Sequence, residues 1–408
     1  MTPSPVRLIL ASVVIAAAAL ACSTAGEPDE GPIEVVQGPG SKSAEDEQAR
    51  IEARLPGRLT EARVFHTGTV LADGRVLVTG GKGLVIRGAP TEAVEIFDPE
   101  TRDWTMIAEL PLARENHRAT LLNDGRVLIT GGRGSNSNPM SSVLFDPDDG
   151  TWTKGASMDT GRQNHTATGL SDGRVLVAGG KVAVYLDAAE IYDPAADAWS
   201  PAGAMSAKKA WHRATLLADG RVLITGGKRA GISAVAEVEI FDPATGEWAA
   251  GPQMATARSS HSASLLADGR VLVVGGYGAD KDPVNSSEIY DPEAGSWSSA
   301  GTLAEPRADH TATVLPNGQV LVVGGLGEHT LTEIYDPDSG SWTAGGDLNA
   351  ARYQHTAAAL RDGTVMITGG LEGGQEGGRS NTSEIYDPET DTWLAVGPLP
   401  EEEEGQQP

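Results

Sequence analysis

A histidine returns seven times along this 408-residue chain, at His66, His117, His165, His212, His261, His310 and His355, at intervals of 45 to 51 residues. Fourteen residues after each histidine stands a Gly-Gly pair, beginning at Gly80, Gly131, Gly179, Gly226, Gly275, Gly324 and Gly369. An Asp-Pro pair follows in every copy, beginning at Asp98, Asp146, Asp193, Asp242, Asp291, Asp336 and Asp387. Six residues beyond each aspartate lies Trp104, Trp152, Trp199, Trp248, Trp297, Trp342 or Trp393. From each of the first six tryptophans to the next histidine the count is always thirteen. A fixed period of this length means that one supersecondary unit is stacked on copies of itself.

Each unit reads as four strands. The first alternates, as in His212-Arg213-Ala214-Thr215-Leu216-Leu217, and runs into an Asp-Gly hairpin signal such as Asp219-Gly220. The second is an almost unbroken apolar run, such as Val222-Leu223-Ile224, which predicts burial on both faces. The third carries an aromatic residue just before Asp-Pro, a pair suited to a type I turn, and the fourth carries the tryptophan. A sheet with two apolar faces needs neighbours, and radial repetition supplies them while leaving only short edges.

The double glycine, the aromatic residue and the spaced tryptophan closely resemble the kelch repeat, from about Gly57 to Pro400. The resemblance implies an all-β fold, a seven-bladed β-propeller of four-stranded antiparallel blades. Every copy is complete from first strand to fourth, so the ring is expected to close by packing. Whether a strand from the other terminus also latches the first blade stays open.

Outside the repeats the chain reads differently. Arg7 precedes an apolar run from Leu8 to Ala21, too short for a typical membrane span. The run ends in Ala19-Leu20-Ala21-Cys22, which resembles the lipobox of bacterial lipoproteins, although Ala19 stands where that family prefers leucine. Residues 1–21 are thus expected to be a signal peptide, Cys22 a lipidated residue, and 22–56 an acidic tether. A solvated acidic tail follows the propeller (57–400) at 401–408. Ser23 in place of an aspartate favours the outer membrane or cell surface over retention in the inner membrane. The single cysteine allows no intrachain disulfide. The net charge of −25 argues against nucleic acid and against membrane contact beyond a lipid anchor.

The spacings also locate the variation. From the first glycine of each pair to the aspartate the gaps are 18, 15, 14, 16, 16, 12 and 18, so length change is confined to the loop joining strands two and three. Chain direction places these loops on the face that carries the blade-to-blade connections, where recognition usually resides. Three residues before each histidine lies a cation: Arg63, Arg114, Arg162, Lys209, Arg258, Arg307 or Arg352. Lys82, Arg87, Arg133, Lys181, Lys228, Arg229, Lys281 and Arg379 add to them from the loops. One reading is a rim that binds an anionic group. The other pairs each cation with the glutamate of a third strand: Glu95, Glu190, Glu239, Glu288, Glu333 or Glu384. Trp211 is the leading candidate for a ligand-stacking aromatic, with Phe65 a second departure before the histidine.

No catalytic residue, cofactor or metal site is assigned. Seven histidines related by blade rotation sit too far apart to share an ion at about 2 Å, and His329, outside the register, is expected in solvent. Copper radical oxidases of the kelch type need a tyrosine joined to a cysteine, and the sole cysteine here is Cys22. The Asp-box-like stretch at Asp338 to Trp342 is one residue short between its glycine and tryptophan. The first strands are unusually alike, which speaks against a specialised pore. The expected function is a monomeric, non-enzymatic binding or scaffold module of the cell envelope, which takes a protein or glycan partner through the loops between strands two and three. The alternative is a carbohydrate-active enzyme, a sugar isomerase, mutarotase or lyase, working at the pore mouth and recognisable by non-repeating polar residues there.

Overall fold

The computed structural model describes residues 57–83, 89–135, 139–373 and 378–396, and in them the seven units form seven four-stranded antiparallel sheets. The blades span 67–106, 118–157, 166–204, 213–250, 262–302, 311–347 and 356–395. Cys22, the tether and the tail lie outside the described residues, as does Arg87. In each blade the four strands follow chain order from the inside out. The first strands of successive blades touch all the way round, and the last blade's Thr356–Ala359 meets the first blade's Thr67–Val70. They therefore enclose the central pore.

Every residue of the seven second strands is buried, as at Val76–Thr79 and Val222–Thr225. Core clusters form between blades, so that Val127, Ile129 and Phe145 of the second blade pack on Leu77 and Ile96 of the first. Each tryptophan of an outer strand lies tilted against the third-strand aromatic of its own blade, with ring centroids 4.9–5.2 Å apart. Several of these indoles reach the preceding blade. The Nε1–H of Trp248 donates to the Ala202 carbonyl at 2.7 Å, and that of Trp152 donates to Ala108 at 2.8 Å.

The joints between blades explain the histidine and the paired glycines together. The N–H of the second glycine donates to the carbonyl of the cation that opens the next blade, as in Gly81 to Arg114 (2.9 Å) and Gly180 to Lys209 (2.9 Å). The first glycine lies beneath the next blade's histidine. A Cβ on Gly80, whose φ is +54°, would meet the Arg114 carbonyl oxygen at 2.5 Å and His117 Cε1 at 3.0 Å. Only glycine suits both the conformation and the contact. Each histidine Nε2 then bonds a hydroxyl of the preceding blade, as in His212 to Thr166 (3.1 Å) and His355 to Thr311 (2.9 Å).

The ring closes without an exchanged strand, because the first and last blades are each built from their own consecutive strands. The seam repeats the ordinary joint: Gly370 N–H donates to the Arg63 carbonyl at 2.9 Å, and His66 Nε2 reaches Thr356 Oγ1 at 3.1 Å. The segment before the first blade adds a bond from Leu59 N–H to the Asn381 carbonyl at 2.9 Å.

Candidate functional site

The seven cations expected on the rim are not there. Arg63, Arg114, Arg162, Lys209, Arg258, Arg307 and Arg352 are all buried in the joints, and six of them pair with the third-strand glutamate of their blade. Arg258 shows the arrangement. Its Nη1 donates to the Gly275 carbonyl at 2.8 Å and its Nη2 to Glu288 Oε1 at 2.7 Å. The same glutamate accepts Ala255 N–H, three residues before the arginine, at 2.6 Å. A side chain fixed this way inside a joint cannot offer its charge to a ligand, so the anionic-rim reading of these seven residues is withdrawn.

The second blade breaks the pattern twice. Val143 replaces the glutamate, leaving the buried Nη2 of Arg114 without a hydrogen-bond partner, and burial alone pulls that guanidinium down to about 10. Pro111 stands three residues before Arg114, where the other six copies have a residue whose N–H reaches the carboxylate. Proline has no N–H to give. The two departures belong together.

The histidines are likewise structural. Burial, followed by the charge of a neighbouring cation (Arg118 for His165, Arg213 for His261 and the joint cation for the rest), holds His66 and His310 down to about 3 and the other five well below the ordinary value. Among the described residues no group of three or more His, Cys, Asp or Glu is placed to hold a metal ion. His329, expected in solvent, is half-buried in its loop.

What does vary is the residue just before each histidine. Phe65, Asn116, Asn164, Trp211, Ser260, Asp309 and Gln354 all have φ between +51° and +59°, a region that residues other than glycine enter sparingly. Six backbone hydrogen bonds of 2.9–3.2 Å tie them into a ring around the pore mouth, each N–H donating to the carbonyl of the equivalent residue one blade earlier. The seventh link, from Phe65 N–H to the Gln354 carbonyl, is not made at the seam. Strained backbone held in place by its surroundings commonly marks a functional position. Here it sets seven residues of six kinds around one cavity.

That cavity holds about 350 Å³ and is lined by all seven of these residues, with Arg118, Arg213, Lys228 and Tyr277 beside them. Arg118 and Arg213 follow their histidines where the other five copies have Thr or Ser. Each is anchored by one bond to the next blade, Arg118 Nε to the His165 carbonyl at 2.8 Å and Arg213 Nε to the His261 carbonyl at 2.5 Å. Neither has a carboxylate within ion-pair distance. Burial, and then the charge of Arg213, bring Arg118 down to about 10. Trp211 is flanked by cations, with Lys181 Nζ at 5.1 Å and Lys228 Nζ at 5.7 Å from its ring centroid. Two blades further on stands Asp309, whose carboxyl is pushed up by burial although Tyr277 Oη donates to it at 3.1 Å.

Among the loop cations, Arg133 pairs with Glu115 and Arg229 with Glu237, whereas Lys82, Lys181, Lys228 and Lys281 make no ion pair among the described residues. Lys228, Ser233, Tyr277 and Lys281 reach the cavity from the variable loops of the fourth and fifth blades. The loops do reach the site. Trp211 and Phe65 line the cavity together with Arg118, Arg213 and Asp309, which the repeat pattern alone does not single out. The first strands are less alike at their inner ends than the repeat as a whole suggests.

Comparison with known proteins agrees with this architecture. Residues 201–370 match the KLHDC2/KLHL20/DRC7 Kelch-repeats domain, and 164–206 and 351–400 match the Kelch motif. Kelch-like protein 15 of Danio rerio is 31% identical over 93 residues, 21% of this chain and 15% of that protein. The tRNA wybutosine-synthesizing protein 4 of Saccharomyces cerevisiae is 41% identical over 75 residues, 17% of this chain and 10% of that protein. The matched stretch is thus a small part of either relative. Among solved structures, a fungal alcohol oxidase of the AA5 family in complex with copper superposes with a TM-score of 0.64 at 19% identity, covering 83% of this chain and 77% of that one. YjhT superposes with a TM-score of 0.56 at 16% identity, covering 71% of this chain and 99% of that one. At these identities the likeness is one of fold.

Proposed function

Because the chain is a kelch-repeat β-propeller, we propose that it is a binding module, exported and anchored at the cell envelope through a lipidated Cys22, that takes a glycan or protein ligand in the cavity at the pore mouth. One observation carries the reading: a circle of seven backbone positions displays side chains of six kinds around a single cavity. A purely spacing role needs neither the strained backbone nor the unpaired arginines. A cavity of this size falls within the range of small-molecule sites, at the lower end. The loops between strands two and three contribute Lys228 and Tyr277, so recognition by those loops and by the pore is one surface. Lipid attachment rests on the Ala19-Leu20-Ala21-Cys22 stretch. Metabolic labelling with a fatty-acid analogue tests it, with Cys22→Ser abolishing both the label and membrane retention.

A glycan array and an envelope pull-down test the binding role, each run with the wild type beside Trp211→Ala. The expected result is a ligand that Trp211→Ala loses while its melting temperature stays within a degree or so. A ligand held equally by both proteins refutes the pore mouth as the site.

A second reading, a carbohydrate-active enzyme at the same pore, is favoured by Asp309. A carboxyl pushed up by burial, bonded to Tyr277 and near Arg213, is the kind of group that serves as an acid or base at a reacting centre. Turnover of a bound sugar that Asp309→Asn abolishes without loss of binding decides for it.

A further inference from the structure

Resting on the pore mouth as a binding site, we propose that Arg118 and Arg213 form a carboxylate-binding pair and that the ligand is a sugar acid. Both guanidiniums break a Thr or Ser pattern, both line the cavity, and neither has a carboxylate partner. Every joint arginine except Arg114 is neutralised by a glutamate, so the protein's own habit is to pair such groups. Two cations that line one cavity closely enough for the charge of one to act on the other, neither in an ion pair, are a strong local departure in a chain of net charge −25. A guanidinium presents a planar fork of donors that matches a carboxylate. Lys228 and Lys281 add positive charge to the lining, and the single acid of the cavity, Asp309, lies within electrostatic reach of Arg213 without forming an ion pair with it.

The rest of the lining fixes the ligand further. Asn116, Asn164, Ser259, Ser260 and Gln354 offer amides and hydroxyls, which suit a ligand rich in hydroxyl groups. Trp211, half-buried with Tyr185 6.3 Å away, supplies a flat apolar face of the kind on which a sugar ring rests. A cavity of about 350 Å³ suits a small ligand or the end of a chain rather than a folded partner. An inorganic anion alone would leave the aromatic and amide lining unused. A sugar acid could come free or as the end of an acidic polysaccharide, and the probes below separate the two.

Calorimetric titration of the whole protein uses D-glucuronate, D-galacturonate and N-acetylneuraminate, each beside its neutral counterpart D-glucose, D-galactose or N-acetylmannosamine. Tri-galacturonate represents a polymer end and hexaglutamate an acidic protein segment. At least one acid binds, with its neutral counterpart about 100-fold weaker, and affinity falls as salt rises. Arg118→Gln and Arg213→Gln each weaken it at least tenfold. Lys228→Gln, on an exposed loop residue that leaves the joints untouched, weakens it severalfold with unchanged melting temperature. Tighter binding of tri-galacturonate than of the monosaccharide assigns the polymer end, and the reverse assigns the free acid. Failure of every acid to bind at millimolar concentration overturns the proposal, as does equal binding by the arginine variants. Equal binding of a neutral sugar, or binding of hexaglutamate alone, overturns the sugar acid but leaves the pore mouth as a binding site. If no probe binds and Trp211→Ala retains the envelope ligand, both readings fall.

Discussion

Six joints place a glutamate between the arginine or lysine and a backbone N–H three residues earlier, and the second blade lacks both the glutamate and the N–H. Restoring them separately and together isolates what the arrangement contributes. Val143→Glu alone supplies a partner for Arg114 but leaves its second oxygen facing Pro111, which cannot donate. It also removes a buried valine that contributes about 1.5–3 kcal/mol. The single substitution therefore destabilises the ring. Pro111→Ala alone frees an N–H with no acceptor. In the double variant the carboxylate receives both the Arg114 guanidinium and the residue-111 N–H, as Glu288 receives Arg258 Nη2 at 2.7 Å and Ala255 N–H at 2.6 Å. A hydrogen bond to a charged group is worth about 1.5–3 kcal/mol, so the two substitutions should couple favourably by that amount. Scanning calorimetry of the four proteins at pH 7.5 measures the coupling directly. Strict additivity, with an interaction energy under about 0.5 kcal/mol, would refute the reasoning, since that is the scatter expected of independent sites.

Two further outcomes follow from the joints. The seven register histidines are held neutral by burial, so their contribution is complete above the ordinary value near 6.5 and is lost as the pH falls toward their depressed folded values. For His66 and His310, at about 3, the loss at pH 5 is about 2 kcal/mol each, from 1.5 units at about 1.36 kcal/mol per unit. Asp309, whose value is raised, works in the opposite direction but is one group against seven. A melting temperature that stays flat from pH 7.5 to 5 contradicts this account. Arg162→Ala and Arg258→Ala leave Glu190 and Glu288 buried without their cation, at a cost of about 3–5 kcal/mol each. Ligand affinity at the pore mouth should survive in whatever fraction remains folded, and thermal melting with titration at low temperature separates the two effects.

Much of the fold is legible because a repeat leaves little freedom. The period, the apolar second strand and the tryptophan spacing each constrain the same four-stranded unit, and the second strands are buried throughout as their composition predicts. The direction of a side chain is another matter. Arg162 and its equivalents lie in connections, where spacing alone cannot tell a rim from a joint; the matching glutamates were the clue, and only the packed joint shows the pair to be enclosed. The pore residues had a signal that periodicity obscures. Aligning the copies on their histidines brings out what differs among them: Phe65, Asn116, Asn164, Trp211, Ser260, Asp309 and Gln354 on one side, Arg118 and Arg213 on the other. That these positions face a shared cavity follows from the left-handed turn before each histidine, which no residue-type preference announces for Phe or Trp.

The circle of left-handed residues is linked from blade to blade by main-chain hydrogen bonds. Its links therefore hold for any side chain whose residue keeps its N–H and tolerates a positive φ, which excludes proline and disfavours β-branched residues, and a change of side chain there need not be transmitted to the joints or the sheets. The mouth of the propeller behaves as a set of sockets, in which a new specificity can be assembled one substitution at a time while the frame keeps its shape. The exception is the gap between Gln354 and Phe65, where the wiring is open. It is the place where the circle has most room to adjust to an occupant.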